Sequence, residues 1–151
     1  MAPIKQKPWD DLARKGPRLR ALCFGINTYT HLDKLSNCER DAKTMAERVN
    51  GLSGCRATVC TSAKLKDKEA MMKEVRAFVA SIDKEAPPRM VLVSHSGHAI
   101  QDGDKVLLAP SGASNEPNQL KQDCLSHDEL FSILYEEMHK KIPQTDTPSS
   151  G

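Results

Sequence analysis

Long apolar runs are absent from this chain of 151 residues. Nothing in it approaches the roughly 20 consecutive apolar residues that a bilayer crossing needs, so no membrane span is expected. The start, Met1 to Lys7, has no apolar core of the kind a secretory signal carries. Paired Cys-x-x-Cys motifs are missing as well. The five cysteines (Cys23, Cys38, Cys55, Cys60, Cys124) are an odd number, which argues against structural zinc and a disulfide framework and for a reducing compartment. A cytosolic chain is the expectation. Net charge is scarce: 22 basic and 20 acidic residues, interleaved, leave only +2, too little to argue for a nucleic-acid partner. Internal repeats are also absent.

What is present reads as one globular domain. Hydrophobic residues at 38% and charged residues at 28% are ordinary for a folded protein, and the length suffices for one core but not two. Residues 1–17, with Pro3, Pro8, Gly16 and Pro17 among charges, read as an irregular arm that Trp9 and Leu12 could dock. Residues 18–142 form the domain, and 143–151 are expected to be a disordered tail. Ala21 to Ile26 is a short apolar run suited to a strand buried on both faces. Ser36 with Glu39 forms a capping-box pattern ahead of Ala42, Met45, Ala46 and Val49, with Gly51 as the helix stop. Cys55 to Thr61 alternates as a second strand. Asp67 caps a second helix with the stripe Met71, Val75, Phe78, Val79 and Ile82, which Pro87 and Pro88 end.

Met90 to Ser94 is the third strand, followed by a small-residue turn. Asp102-Gly103 is a tight turn before the apolar Lys105 to Pro110. Ser111 to Gln122 reads as polar loop, and Ser126 with Glu129 opens a last helix with Leu130, Ile133, Leu134 and Met138 on one face. The order strand, helix, strand, helix, strand, hairpin, helix predicts an α/β fold: a mostly parallel central sheet with helices on both faces. The final helix has no strand after it, which is unusual for such a layout.

The informative stretch is Ser94-His95-Ser96-Gly97-His98 at the end of the third strand. In open α/β sheets, sites form outside the carboxyl ends of the strands. An imidazole there can serve as general base for a nucleophile. Other readings of the same residues stay open. His98 could be a surface histidine. His95 and His98 could be metal ligands, although no third ligand stands near them. His95 is expected to continue the strand with its ring packed. Asp41 could simply favour the first turn of its helix, and Ser96 could be a turn residue.

These segments, taken in order, resemble the caspase-type cysteine peptidases, in particular the metacaspase and paracaspase branch. Gly25-Ile26-Asn27-Thr28-Tyr29 is similar to that family's Gly-Ile-Asn-x-Tyr, and Asn37-Cys38-Glu39-Arg40-Asp41-Ala42 to its Gly-Cys-x-Asn-Asp-Ala. Ser96-Gly97-His98 resembles its Ser-Gly-His-Gly, and Asp102-Gly103 with Leu107 to Pro110 the hairpin that follows. The match runs from about Arg18 to Met138 and corresponds to most of the large, p20-like subunit. It implies a caspase-like three-layer sandwich and a cysteine endopeptidase acting on polypeptides.

By the same resemblance, His98 is the catalytic histidine and the Gly97 amide an oxyanion donor. Cys38, Asp41 and Ser96 line the S1 pocket. A carboxylate in that pocket favours Arg or Lys at P1 through charge-assisted hydrogen bonds. Gly97 is expected to let a substrate carbonyl approach, and Ala99 departs from the family's glycine, at a cost only if that site needs a positive φ. The family's nucleophilic cysteine lies on a later strand, so the thiol is expected beyond residue 151 and the chain is expected to be inactive alone. Its partner would be that missing C-terminal segment or small subunit, or a homologous caspase-like chain. No cofactor is evident. Calcium is possible by resemblance, with no ligand cluster identifiable.

Among the cysteines, Cys23 and Cys60 read as inert core, and Cys55 and Cys124 as segment-edge residues without a base. Cys38, at a helix N-terminus, is the one candidate to replace the missing nucleophile. Two alternatives from other classes are a non-catalytic caspase-like module that regulates a partner, and a flavodoxin-like binding domain. The latter needs phosphate-binding glycines after the first strand, which Asn27-Thr28-Tyr29 does not supply.

Overall fold

The computed structural model describes residues 16–142. The expected arm, apart from Gly16 and Pro17, and the expected tail lie outside that range. Strands β1 (Leu19–Gly25), β2 (Cys55–Thr61) and β3 (Met90–Ser96) form a parallel sheet in the order β2-β1-β3. Helix α1 (Cys38–Asn50) links β1 to β2, and α2 (Lys68–Ala80) links β2 to β3. A second, antiparallel sheet follows, built from β4 (Ala99–Asp102), β5 (Lys105–Leu108) and the two-residue β6 (Leu125–Ser126). Between β5 and β6 lies α3 (Pro117–Asp123), and α4 (His127–Lys141) closes the described residues.

The layering follows from the pattern of the central strand. Ala21, Leu22, Cys23, Phe24 and Ile26 are all fully buried, so β1 is covered on both faces. Ala21 and Cys23 meet Ala42, Ala46 and Val49 of α1. Leu22 and Phe24 face the larger cluster, in which Met71, Val75, Phe78 and Val79 of α2 pack with Ile133 of α4. Each such large side chain contributes about 1.5–3 kcal/mol by leaving water. The result is the three-layer α/β sandwich read from the sequence.

Several local readings change. Ser36 does not cap α1: the N-cap is Asn37, without a side-chain cap bond. The Glu39 amide instead donates to Asn27 Oδ1 (3.0 Å), and the Glu39 carboxylate is drawn to Ser62, whose Oγ lies 2.6 Å away. The segment Ser111 to Gln122 is not all loop, because Glu116 caps α3 by accepting from the Asn118 and Gln119 amides. Helix α2 stops at Ala80, well before Pro87, and Ile82 packs into the core from beyond its end. Strand β3 runs on through His95, as expected, and one residue further to Ser96. Asp67 and the Ser126–Glu129 capping box form as read.

Candidate active site

The carboxyl ends of β1 and β3 come together through the Ile26 amide, which donates to Ser96 O at 2.9 Å. The loop after β1 is held on its other side by Ser62, whose hydroxyl accepts from the Asn27 and Thr28 amides at 3.0 and 3.2 Å. Gly25 lets α1 sit close: a Cβ there would lie 2.5 Å from Cys38 O and 2.7 Å from the Ala42 Cβ. That approach carries Cys38 and Asp41, in the first turn of α1, to the same end of the sheet as Ser96, Gly97 and His98.

Ser96 Oγ and Asp41 Oδ2 lie 3.5 Å apart. Asp41 is exposed and makes no ion pair among the described residues. Its carboxylate is therefore available to a cation from solvent. Cys38 is half-buried and near enough to Tyr29 to influence its ionisation.

His98 is held from two directions that the sequence reading did not identify. Its amide donates to Tyr29 Oη at 2.8 Å, and the two rings meet edge to face with centroids 4.6 Å apart. Its Nε2 lies 2.7 Å from Asp33 O. A carbonyl oxygen can only accept, so the neutral imidazole carries its proton on Nε2 and presents Nδ1 as the basic nitrogen. Burial pushes the Tyr29 hydroxyl up to about 12, against the hydrogen bond from His98 and aided by nearby Cys38 and Cys124. Tyr29 thus stays a neutral prop. It stands in the Gly-Ile-Asn-x-Tyr stretch, which was the available signal. The Asp33 contact is made by backbone and leaves no side-chain trace in the sequence.

Gly97 also has a packing role that was not expected. A Cβ there would fall 2.6 Å from Tyr29 Oη and 3.2 Å from the His95 ring, so the missing side chain makes room for Tyr29. Its amide donates no hydrogen bond among the described residues and, by the alternation along β3, points away from β1. Ala99 is harmless: no residue other than glycine has a positive φ among the described residues, and Ala99 opens β4.

His95 and His98 do not converge on a metal. The His95 Nε2 is buried without a partner among the described residues, and burial alone pushes that imidazole down to about 4. Among the described residues no group of three or more His, Cys, Asp or Glu is arranged to hold a metal ion.

The thiols fall into two sets. Cys23, Cys60 and Cys124 are buried; Cys124 sits at a segment edge as expected, between α3 and β6, and is a core residue there. Burial pushes Cys60 up to about 12 and Cys124 up to about 11, with Glu74 and Asp123 adding to the respective shifts. Cys55 opens β2, at the far end of the sheet from His98.

The family model described as a caspase domain of the C14 peptidases matches residues 18–144. Among solved structures, the chain is similar to protein GSU0716 from Geobacter sulfurreducens, at 20% identity and a TM-score of 0.53, over 78% of this chain and 45% of that one. At that identity the likeness speaks for the fold alone, and the chain spans less than half of that protein's length. No curated protein sequence matches this one. No helix among the described residues is long and apolar enough to cross a membrane.

Proposed function

The chain belongs to the caspase-domain family of peptidases, and on that premise we propose that the end of β3 is the base and oxyanion half of a cysteine endopeptidase site that selects Arg or Lys at P1. The observation that carries this reading is the bond between His98 Nε2 and Asp33 O at 2.7 Å, which leaves Nδ1 as proton acceptor. In the reaction, Nδ1 takes the proton of a cysteine thiol and the sulfur attacks the scissile carbonyl carbon. The carbonyl π electrons move to oxygen, where the Gly97 amide donates to the oxyanion. The imidazolium then returns its proton to the departing amine as the oxyanion re-forms the carbonyl and the C–N bond breaks. Water, deprotonated by the same Nδ1, hydrolyses the resulting thioester and frees the thiol. Asp41, with Ser96 beside it, receives the cationic P1 side chain.

The thiol in this proposal is not one of the five cysteines described. Three are buried, Cys55 is at the wrong end, and Cys38 serves the wall of the P1 pocket. We assign the nucleophile to a segment that joins this one, either further polypeptide of the small-subunit type or a second caspase-like chain. Five free thiols fit work in a reducing, cytosolic setting. No observation favours the non-catalytic alternative.

The pocket is tested by amide NMR on the chain as it stands. An acetylated peptide ending in arginine amide is expected to shift the Asp41, Ser96 and Gly97 resonances, with Asp41→Asn abolishing the response. An aspartate-terminated peptide should leave them unmoved. Equal responses to both peptides would remove the basic P1 assignment.

A further inference from the structure

At the opposite pole of the parallel sheet, where β1 and β2 begin, lies a cavity of about 500 Å³ lined by Pro17, Arg20, Cys55, Arg56, Ser81 and Asp83, among others. Arg20 is a charged residue only 7% exposed. One of its terminal nitrogens donates to Ser81 Oγ at 2.9 Å, and that hydroxyl is itself spent on Phe78 O. The guanidinium carbon lies 5.2 Å from the centre of the Phe78 ring. Its Nε is buried with no partner among the described residues. None of these neighbours is an anion.

The strand register makes the imbalance larger. Arg56 of β2 is the lateral partner of Arg20, so two guanidinium groups stand side by side on the face turned toward α2. Like charges directly across a strand pair repel. Neither arginine joins an ion pair among the described residues. Asp83, the acidic residue in the lining, accepts from the Glu85 amide at 2.9 Å and bonds to neither arginine. Burial, and then the charge of Arg56, pull the Arg20 pKa below its ordinary value. A buried cation without a counter-charge is costly to maintain, and an arginine fork is the side chain best matched to a planar or tetrahedral oxyanion.

We propose that this cavity is an oxyanion site, in which the guanidinium groups of Arg20 and Arg56 hold a phosphate or carboxylate group. The chemistry is shared by two sources: a free phosphate-bearing small molecule, and the carboxylates of Asp10 and Asp11, a short distance upstream of Gly16 in the sequence. Either one would neutralise the charge pair and join the starts of β1 and β2 to the end of α2. The site is separate from the His98 pole and does not depend on the peptidase reading.

The test follows the Arg20 Nε–H resonance of the 151-residue chain by NMR while sodium phosphate replaces sodium chloride at constant ionic strength. The expected result is a saturable shift whose midpoint rises at least about tenfold in Arg56→Gln, a fold-change of the size expected from losing one charged hydrogen-bond partner. Arg56 is exposed, so this variant is expected to fold. A double Asp10→Asn, Asp11→Asn variant separates the sources. If the chain's own carboxylates fill the site, that variant binds phosphate more tightly than the original or responds where the original does not. If a free anion fills it, the two titrate alike. No saturable shift in either protein, or a shift undiminished in Arg56→Gln, would overturn the assignment.

Discussion

Gly97 stands where one methyl group would collide with the hydroxyl that supports His98. Gly97→Ala is expected to cost about 1–3 kcal/mol, the range for overpacking a rigid site. Tyr29→Phe removes the atom in the way but strips the His98 amide of its acceptor. The two substitutions together are therefore expected to cost less than their sum by at least about 0.5 kcal/mol, measured by chemical denaturation. Strict additivity would mean that the Gly97–Tyr29 contact is not the constraint. His95, near the end of β3 and against Gly97, gives a pH signature. Its folded pKa of about 4 lies below the ordinary 6.5, so the unfolded chain takes up the proton first as pH falls. Stability is thus lost from about pH 6.5 down through about pH 4, on the order of 3 kcal/mol by the lower limit. Asp123, held down by Gln119 and Ser114, and Glu129, held down by Lys68 and Ser126 against its burial, lose their contributions at lower pH still. His95→Leu should flatten the upper part of that curve, and an unchanged curve would show that His95 is not its source.

At the scale of elements, β3 is an edge strand among the described residues, with Met90 62% and Leu92 38% exposed. The Met90 amide donates to Arg18 O, and the Ile26 amide to Ser96 O. With the β1–β3 register, this alternation turns the amides of Val91, Val93 and His95 outward. Hydrogen exchange should find them faster than those of Leu92, Ser94 and Ser96. Uniform protection would mean that the edge is already paired, for example with a second copy of the chain. The same scale explains what could be read from the sequence. Apolar β1, alternating β2 and the α2 stripe were legible because local pattern and burial agree in them. The Ser36 cap was not, because Ser62 is distant in sequence and competes for Glu39. Helix α3 was not, because it buries no side chain fully and depends on Glu116 and Pro117 at its start. Of the site, Ser96, Gly97, His98, Cys38 and Asp41 were legible as motif residues. The Asp33 carbonyl was not, since any residue could supply it.

Over the whole molecule, the sheet separates two chemistries. Its carboxyl end carries an imidazole with a fixed tautomer, an outward amide and a carboxylate unpaired among the described residues; its amino end carries two arginines that find no counter-charge among those residues. The central claim concerns the first of these: a base and an oxyanion donor whose thiol is none of the five cysteines. The direct measurement is fluorophore release from an arginine-terminated peptide reporter by the purified chain, under reducing conditions, with Cys38→Ala assayed beside it. Loss of the nucleophile commonly costs several orders of magnitude in rate, so the account predicts no release above a blank for either protein. Steady turnover that disappears in Cys38→Ala would contradict it and make Cys38 the nucleophile.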